Sequence, residues 1–138
     1  MGQCADPNRA QPKEDSPWLL EIVAGMVEAA ESLEAVAKRE TQEEAGVTVT
    51  DLLPICEYWT SPAVSTAKFS LFCGRVDARL AEGIHGLAAE GEDIRVHRVA
   101  VSAAYGYLAQ GYIQHAPTLI GLQWLKLHEA QVIAQWKR

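Results

Sequence analysis

Between Gly25 and Val47 the chain reads GMVEAAESLEAVAKRETQEEAGV, and this stretch constrains the fold more than any other. Leu33, Val36 and Ala37 fall at helical spacing on one face, with Glu34, Lys38 and Gln42 elsewhere on the surface. Ser32 suits the N-cap, because its hydroxyl can accept from an orphan amide of the first turn. Gly46 suits the left-handed position just past a helix end. The spacing predicts a helix over about residues 32–45. Its last turns carry Glu40, Glu43 and Glu44 at i, i+3 and i+4, so three carboxylates share one face. Like charges so spaced cost a helix a few tenths of a kcal/mol per pair. The macrodipole also disfavours negative charge at this end. Local physics therefore asks for something positive. A hard divalent cation such as Mg²⁺ takes oxygen ligands and would serve. The plain alternative is a solvated acidic face with Lys38 and Arg39 nearby.

Composition sets the surroundings. The 138 residues are 49% hydrophobic and 22% charged, which suits one soluble domain with a modest core. A net charge of −6 repels a nucleic-acid backbone, so no nucleic-acid partner is expected. An acidic chain that handles phosphates needs a local device, most simply a bound cation. Cys4, Cys56 and Cys73 are too few and scattered for a disulfide framework or a zinc cage. Cys56 and Cys73 sit in apolar, strand-like runs and are expected to be reduced core residues. The sequence has no apolar run of 18 residues and a polar N-terminus, so no membrane partner and a cytoplasmic location are expected.

Residues 1–16 are polar and proline-bearing, and read as a tail ahead of a single domain over 17–138. Trp18–Gly25 is a candidate strand. VTVTDLLPICEYW, KFSLFCGRVDA and DIRVHRVA are three further strand candidates. A glycine-punctuated acidic loop, RLAEGIHGLAAEGE, separates the last two. VSAAYGYLAQG predicts a short helix started by Ser102 and stopped by Gly111. APTLIGLQWLKLHEAQVIAQWKR predicts a final helix, with Leu119, Leu122, Leu125, Val132 and Trp136 in a helical pattern and Pro117 in its first turn. The sum is an α/β chain with a mixed sheet. Tyr58 and Trp59 read as strand packing, and His85 as a loop histidine with a structural hydrogen bond. His97, His115 and His128 have no ligand spacing and are assigned no site.

The long stretch also has a fixed pattern: Gly25, five residues, Glu31, seven residues, Arg39-Glu40, two residues, Glu43-Glu44, one residue, Gly46 and apolar Val47. This resembles the signature of the Nudix hydrolases, with Thr41 where that family usually has an aliphatic residue. WLLEIVAGMVE before it, with GIHGLAAEGEDIRVHRV and IGLQWLKLHEA after it, is similar to the bacterial ADP-ribose pyrophosphatase branch, over about residues 17–130. The resemblance implies an α/β/α sandwich of Nudix type with a shortened N-terminal side. It implies Mg²⁺, with Mn²⁺ as the alternative, held by Glu40, Glu44, Glu43 and the Ala24 carbonyl. Arg39 would orient the glutamates through a salt bridge, and Glu31 would support the loop. Glu90 would activate water, with Glu92 and Asp93 as its substitutes. Gly25, Met26, Ser61 and Lys68 would touch the substrate. The implied reaction is hydrolysis of a nucleoside diphosphate linked to another moiety. ADP-ribose, giving AMP and ribose 5-phosphate, is the first substrate. The alternatives are another nucleotide sugar or dinucleotide, and a catalytically weak nucleotide-binding or interaction module.

The sequence departs from that branch in three places. The relatives carry early strands and a dimerising portion that the polar residues before Trp18 do not resemble, so an unpaired edge and a homodimer are expected. The loop after Ser61-Pro62 has Ala67 where the relatives have an acid, and keeps only Lys68. The residue before Glu31 is Ala30 in place of the usual glycine.

Overall fold

A computed structural model of the chain describes residues 19–86 and 93–137. Helix α1 spans Leu33–Ala45 and is capped as its sequence requires. The Ser32 Oγ accepts from the Ala35 amide, and Gly46 at φ 67° closes the helix by donating to the Gln42 carbonyl. Beyond it, VTVT alternates strictly, with Val47 and Val49 buried and Thr48 and Thr50 exposed. Strand β1 begins only at Asp51 and runs to Trp59, paired antiparallel with β2, Lys68–Arg75. The register steps between Pro54 and Cys56, so Ile55 is a bulge beside a proline that cannot donate to a ladder. Tyr58 stacks on its cross-strand partner Phe69 with ring centroids 5.5 Å apart. Trp59 is not packed but 53% exposed.

A 3₁₀ turn at Ala78–Leu80 leads to β3, Ile84–His85, which pairs antiparallel with β4, Ile94–Arg95. The expected strand DIRVHRVA is thus reduced to a two-residue ladder, and β3 lies inside the expected acidic loop. Helix α2 covers Val101–Ala109, and α3 covers Ala116–Trp136 with Pro117 in its first turn. Ala100, not Ser102, is the N-cap of α2. Ser102 already lies inside the first turn, because Ala104 donates to the Ala100 carbonyl. Gly111, at φ 76°, does end the helix, with Tyr112 donating to the Tyr107 carbonyl. The helices and strands make an α/β chain, and among the described residues both ladders are antiparallel pairs. No described helix is long and apolar enough to cross a membrane.

Two expectations fail for reasons of pairing. Leu19–Gly25 forms no strand and joins no ladder among the described residues. Its amides go to side chains instead, Ile22 to Thr118 Oγ1 at 3.1 Å and Ala24 to Glu44 Oε2 at 3.2 Å. Cys56 is exposed and only Cys73 half-buried, both as free thiols. An apolar strand sequence does not guarantee burial in a two-stranded ladder, which leaves much of β1 open to solvent. Burial pushes the Cys73 thiol pKa up.

The core is small: Val36, Val47, Val49, Leu71, Ile113 and Val132 are its buried hydrophobic members among the described residues. It gathers α1, the run into β1, β2 and α3. His85 reaches it from the side. Its Nε2 hydrogen-bonds the Glu82 carbonyl at 2.8 Å, the structural bond expected of it. Its ring also lies against Gly46, where an added Cβ would come within 2.6 Å of His85 Cε1. Gly46→Ala would combine this overlap with a left-handed φ that costs an L side chain about 1–2 kcal/mol. The expected loss is about 2 kcal/mol or more, read as a lower urea midpoint with an unchanged slope.

Candidate active site

The carboxylates of α1 do not stand alone; one guanidinium collects them. Arg39 Nε and Nη2 bind the two oxygens of Glu31 at 3.0 and 3.1 Å, a bidentate pair. Its Nη1 donates to Glu40 at 2.8 Å and to Glu43 at 3.0 Å. Its Nη2 also donates to the Met26 carbonyl at 3.3 Å. Helical spacing places Glu43 one turn from Arg39, while Glu31 and Met26 come from the preceding loop. The arginine therefore ties the loop to the helix. These bonds hold the Glu31 carboxyl below its ordinary value, and in return raise the Arg39 pKa.

Two backbone features complete the cluster. The Ala24 amide donates to Glu44, which brings the Leu19–Gly25 segment against the last turn of α1. Gly25 lies so close to Glu40 that a Cβ there would overlap the carboxylate. Glycine at this position is thus a steric requirement of the site. Thr41, the atypical member of the signature, returns its hydroxyl to the Ala37 carbonyl at 2.6 Å. This back-bond satisfies the polar group within the helix.

The loop before α1 turns at Glu28–Glu31, with Glu31 donating to the Glu28 carbonyl. Ala30 holds φ 68° there, and is the described non-glycine residue with positive φ. The turn that offers Glu31 to Arg39 is strained for want of a glycine.

The other sequence candidates are placed as follows. Lys68 forms an ion pair with Glu57 across the β1–β2 ladder, and Ser70 also donates to Glu57. Hydrogen bonding to Lys68 lowers the Glu57 pKa. The Ser61 carbonyl accepts from Val64 and Ser65 in the turn after β1. Met26 is 84% exposed beside the cluster. Asp93 borders β4, while Glu90 and Glu92 lie outside the described residues. Sequence reasoning missed the Met26 carbonyl as an anchor for Arg39; a backbone acceptor carries no side-chain signal.

The donor chemistry fits a hard cation in kind: all oxygen, four carboxylates against one guanidinium, and a backbone pinched at Ala24–Gly25. Among the described residues, no group of three or more acids, histidines or cysteines is already arranged around a metal position. Glu31, Glu40 and Glu43 are turned onto Arg39.

Residues 7–138 match the NUDIX domain, and the chain belongs to the Nudix family. Among curated proteins it is 50% identical over 123 residues to the ADP-ribose pyrophosphatase of Haemophilus influenzae, covering 89% of this chain and 57% of that protein. It is 48% identical over 122 residues to the ADP-ribose pyrophosphatase of Escherichia coli K12, covering 88% and 58%. The GDP-mannose pyrophosphatase of Cronobacter sakazakii is 32% identical over 109 residues, covering 79% and 56%. The chain thus spans under three-fifths of the length of these relatives.

Ala30→Gly is expected to relieve the left-handed strain, set against the greater freedom glycine adds to the unfolded chain. The net gain is about 0.5–1 kcal/mol, measured by urea unfolding at neutral pH.

Proposed function

We propose that this chain hydrolyses the diphosphate of a nucleoside diphosphate linked to another moiety, with Mg²⁺ as cofactor and Mn²⁺ as the alternative. The observation that carries the reading is the Arg39-organised carboxylate cluster pressed against Ala24 and Gly25. The relatives named ADP-ribose pyrophosphatase support ADP-ribose as first substrate, giving AMP and ribose 5-phosphate.

In this reading Glu40, Glu43, Glu44 and the Ala24 carbonyl hold the cation. When bound, it neutralises the diphosphate and acidifies a coordinated water. Arg39 keeps the carboxylates from repelling one another apart and fixes their orientation, with Glu31 anchoring the guanidinium from the loop. Gly25 and Met26 offer backbone close to the diphosphate. Ser61 and Lys68 border the rest of the substrate. Glu90 accepts the proton from water as general base, a role assigned from sequence position alone.

A second reading, hydrolysis of another nucleotide sugar, is favoured by the GDP-mannose pyrophosphatase relative and by the engagement of Lys68 with Glu57. Turnover of a panel of nucleoside diphosphate derivatives with Mg²⁺ tests both. Glu44→Gln should lower kcat by about a hundredfold or more. No turnover above that variant's background by the wild type would defeat both, and thermal stabilisation by the nucleotide without turnover would instead indicate a binding module.

The same reading takes the chain as a cytoplasmic homodimer with no nucleic-acid or membrane partner. Ladders that have only two strands among the described residues, with exposed Leu80, Ile84 and Leu127, support association. Light scattering should give about twice the 15.1 kDa monomer mass; a stable monomer would refute the dimer.

A further inference from the structure

Thr118, in the first turn of α3, is the buried polar residue among the described core positions, only 4% exposed. Its Oγ1 accepts from the Ile22 amide at 3.1 Å and lies 2.9 Å from His115 Nδ1. A hydroxyl has one proton and two lone pairs. Ile22 donates to one lone pair of the oxygen, and the imidazole tautomer sets whether Thr118 donates to His115 Nδ1 or accepts from it.

The Ile22 side chain reaches the same helix. A Cβ at Gly121 would make ordinary van der Waals contact with Ile22 Cδ1 at 3.8 Å, so the Ile22 side chain lies beside this helix. Helix α3 therefore holds Ile22, a residue 37% exposed, by its main chain, while the side chain lies beside the helix. Two residues further on, the Ala24 amide meets Glu44 and Gly25 meets Glu40. Ile22 and Ala24, two residues apart, are thus tied to two different helices, so a shift of this short segment at Ile22 is passed on to the groups that face α1.

We propose that Thr118 is a positioning residue that sets the register of residues 19–25 against α1, and so decides which backbone groups face Glu40 and Glu44. The assignment rests on reading that cluster as a cation-dependent hydrolytic centre. Thr118 acts through Ile22, on a segment held at one end by α3 and at the other by the carboxylates. A slip would present Val23 to Glu44 and withdraw the Ala24 carbonyl from the cation.

The test compares the full chain with Thr118→Val, Thr118→Ala and Thr118→Ser. Amide exchange at Ala24 and Mn²⁺ binding without substrate, followed by electron paramagnetic resonance, are read well below the melting temperature. Thr118→Val and Thr118→Ala should speed Ala24 exchange and weaken Mn²⁺ binding, each about tenfold. Thr118→Ser, which keeps the hydroxyl, should stay within about twofold of wild type. In turnover, kcat should fall while KM holds, because Thr118 does not touch substrate. Variants that only melt earlier, with exchange and Mn²⁺ binding unchanged, would overturn the proposal. So would a serine variant as impaired as the valine one. If neither Thr118→Val nor Thr118→Ala folds, the wild type decides: Ile22 and Ala24 amides should exchange more slowly than Val23, and uniform exchange overturns the assignment. A wild type that turns over no nucleoside diphosphate defeats the proposed reaction, whereas Ala24 exchange still decides the role of Thr118.

Discussion

The Arg39 guanidinium is the constraint on which the rest of this structure depends. Three carboxylates at the C-terminal end of a helix repel one another and oppose the macrodipole. A lysine could neutralise one of them as a point charge. Arginine's planar fork reaches Glu31, Glu40, Glu43 and the Met26 carbonyl together. That single side chain converts a repulsive face into an ordered one and determines where the loop before α1 can run. The strain at Ala30 is a cost of delivering Glu31 to it.

Ordering of this kind matters because the apolar core is thin. None of the described large side chains is completely buried, and the packing gathers around six aliphatic residues. Hydrogen bonds between distant parts, such as Ile22 to Thr118 and Ala24 to Glu44, add to that packing. Leu19–Gly25 illustrates the point. The segment gains no ladder among the described residues, yet the Ile22 amide is caught by α3 and the Ala24 amide by α1. The proposed hydrolytic centre is thus assembled by side chains acting on main chain, where a larger sheet would have used strand pairing.

Legibility in the sequence followed the range of the interactions. Helix α1, with Ser32 and Gly46 at its ends, was readable because caps and periodicity are local. Pro117 placed the start of α3 for the same reason. The acidic signature was legible through its resemblance to a family pattern, and one helix supplies most of it. Ser102 misled, because a good capping residue two positions past the true N-cap is still a serine in the sequence. Cys56 misled because an apolar strand reads the same whether or not another layer covers it. The fate of Leu19–Gly25 was unreadable: its bonding partner Thr118 is 96 positions from Ile22. No spacing rule reaches that far. Glu90 and Glu92 lie outside the described residues, so the late-loop half of the site rests on sequence.

The packing of His85 on Gly46 has a bearing on how such a chain can diverge. Gly46 belongs to the signature, but part of what forbids a side chain there is a ring from outside it. Replacement at position 46 meets two independent obstacles, a backbone conformation that only glycine adopts freely and an already filled volume. Shrinking His85 would remove the second and leave the first. Substitutions at positions 46 and 85 are therefore expected to be non-additive in their effect on stability. Drift in the signature is policed here by a residue that no signature-based reading of the helix would include.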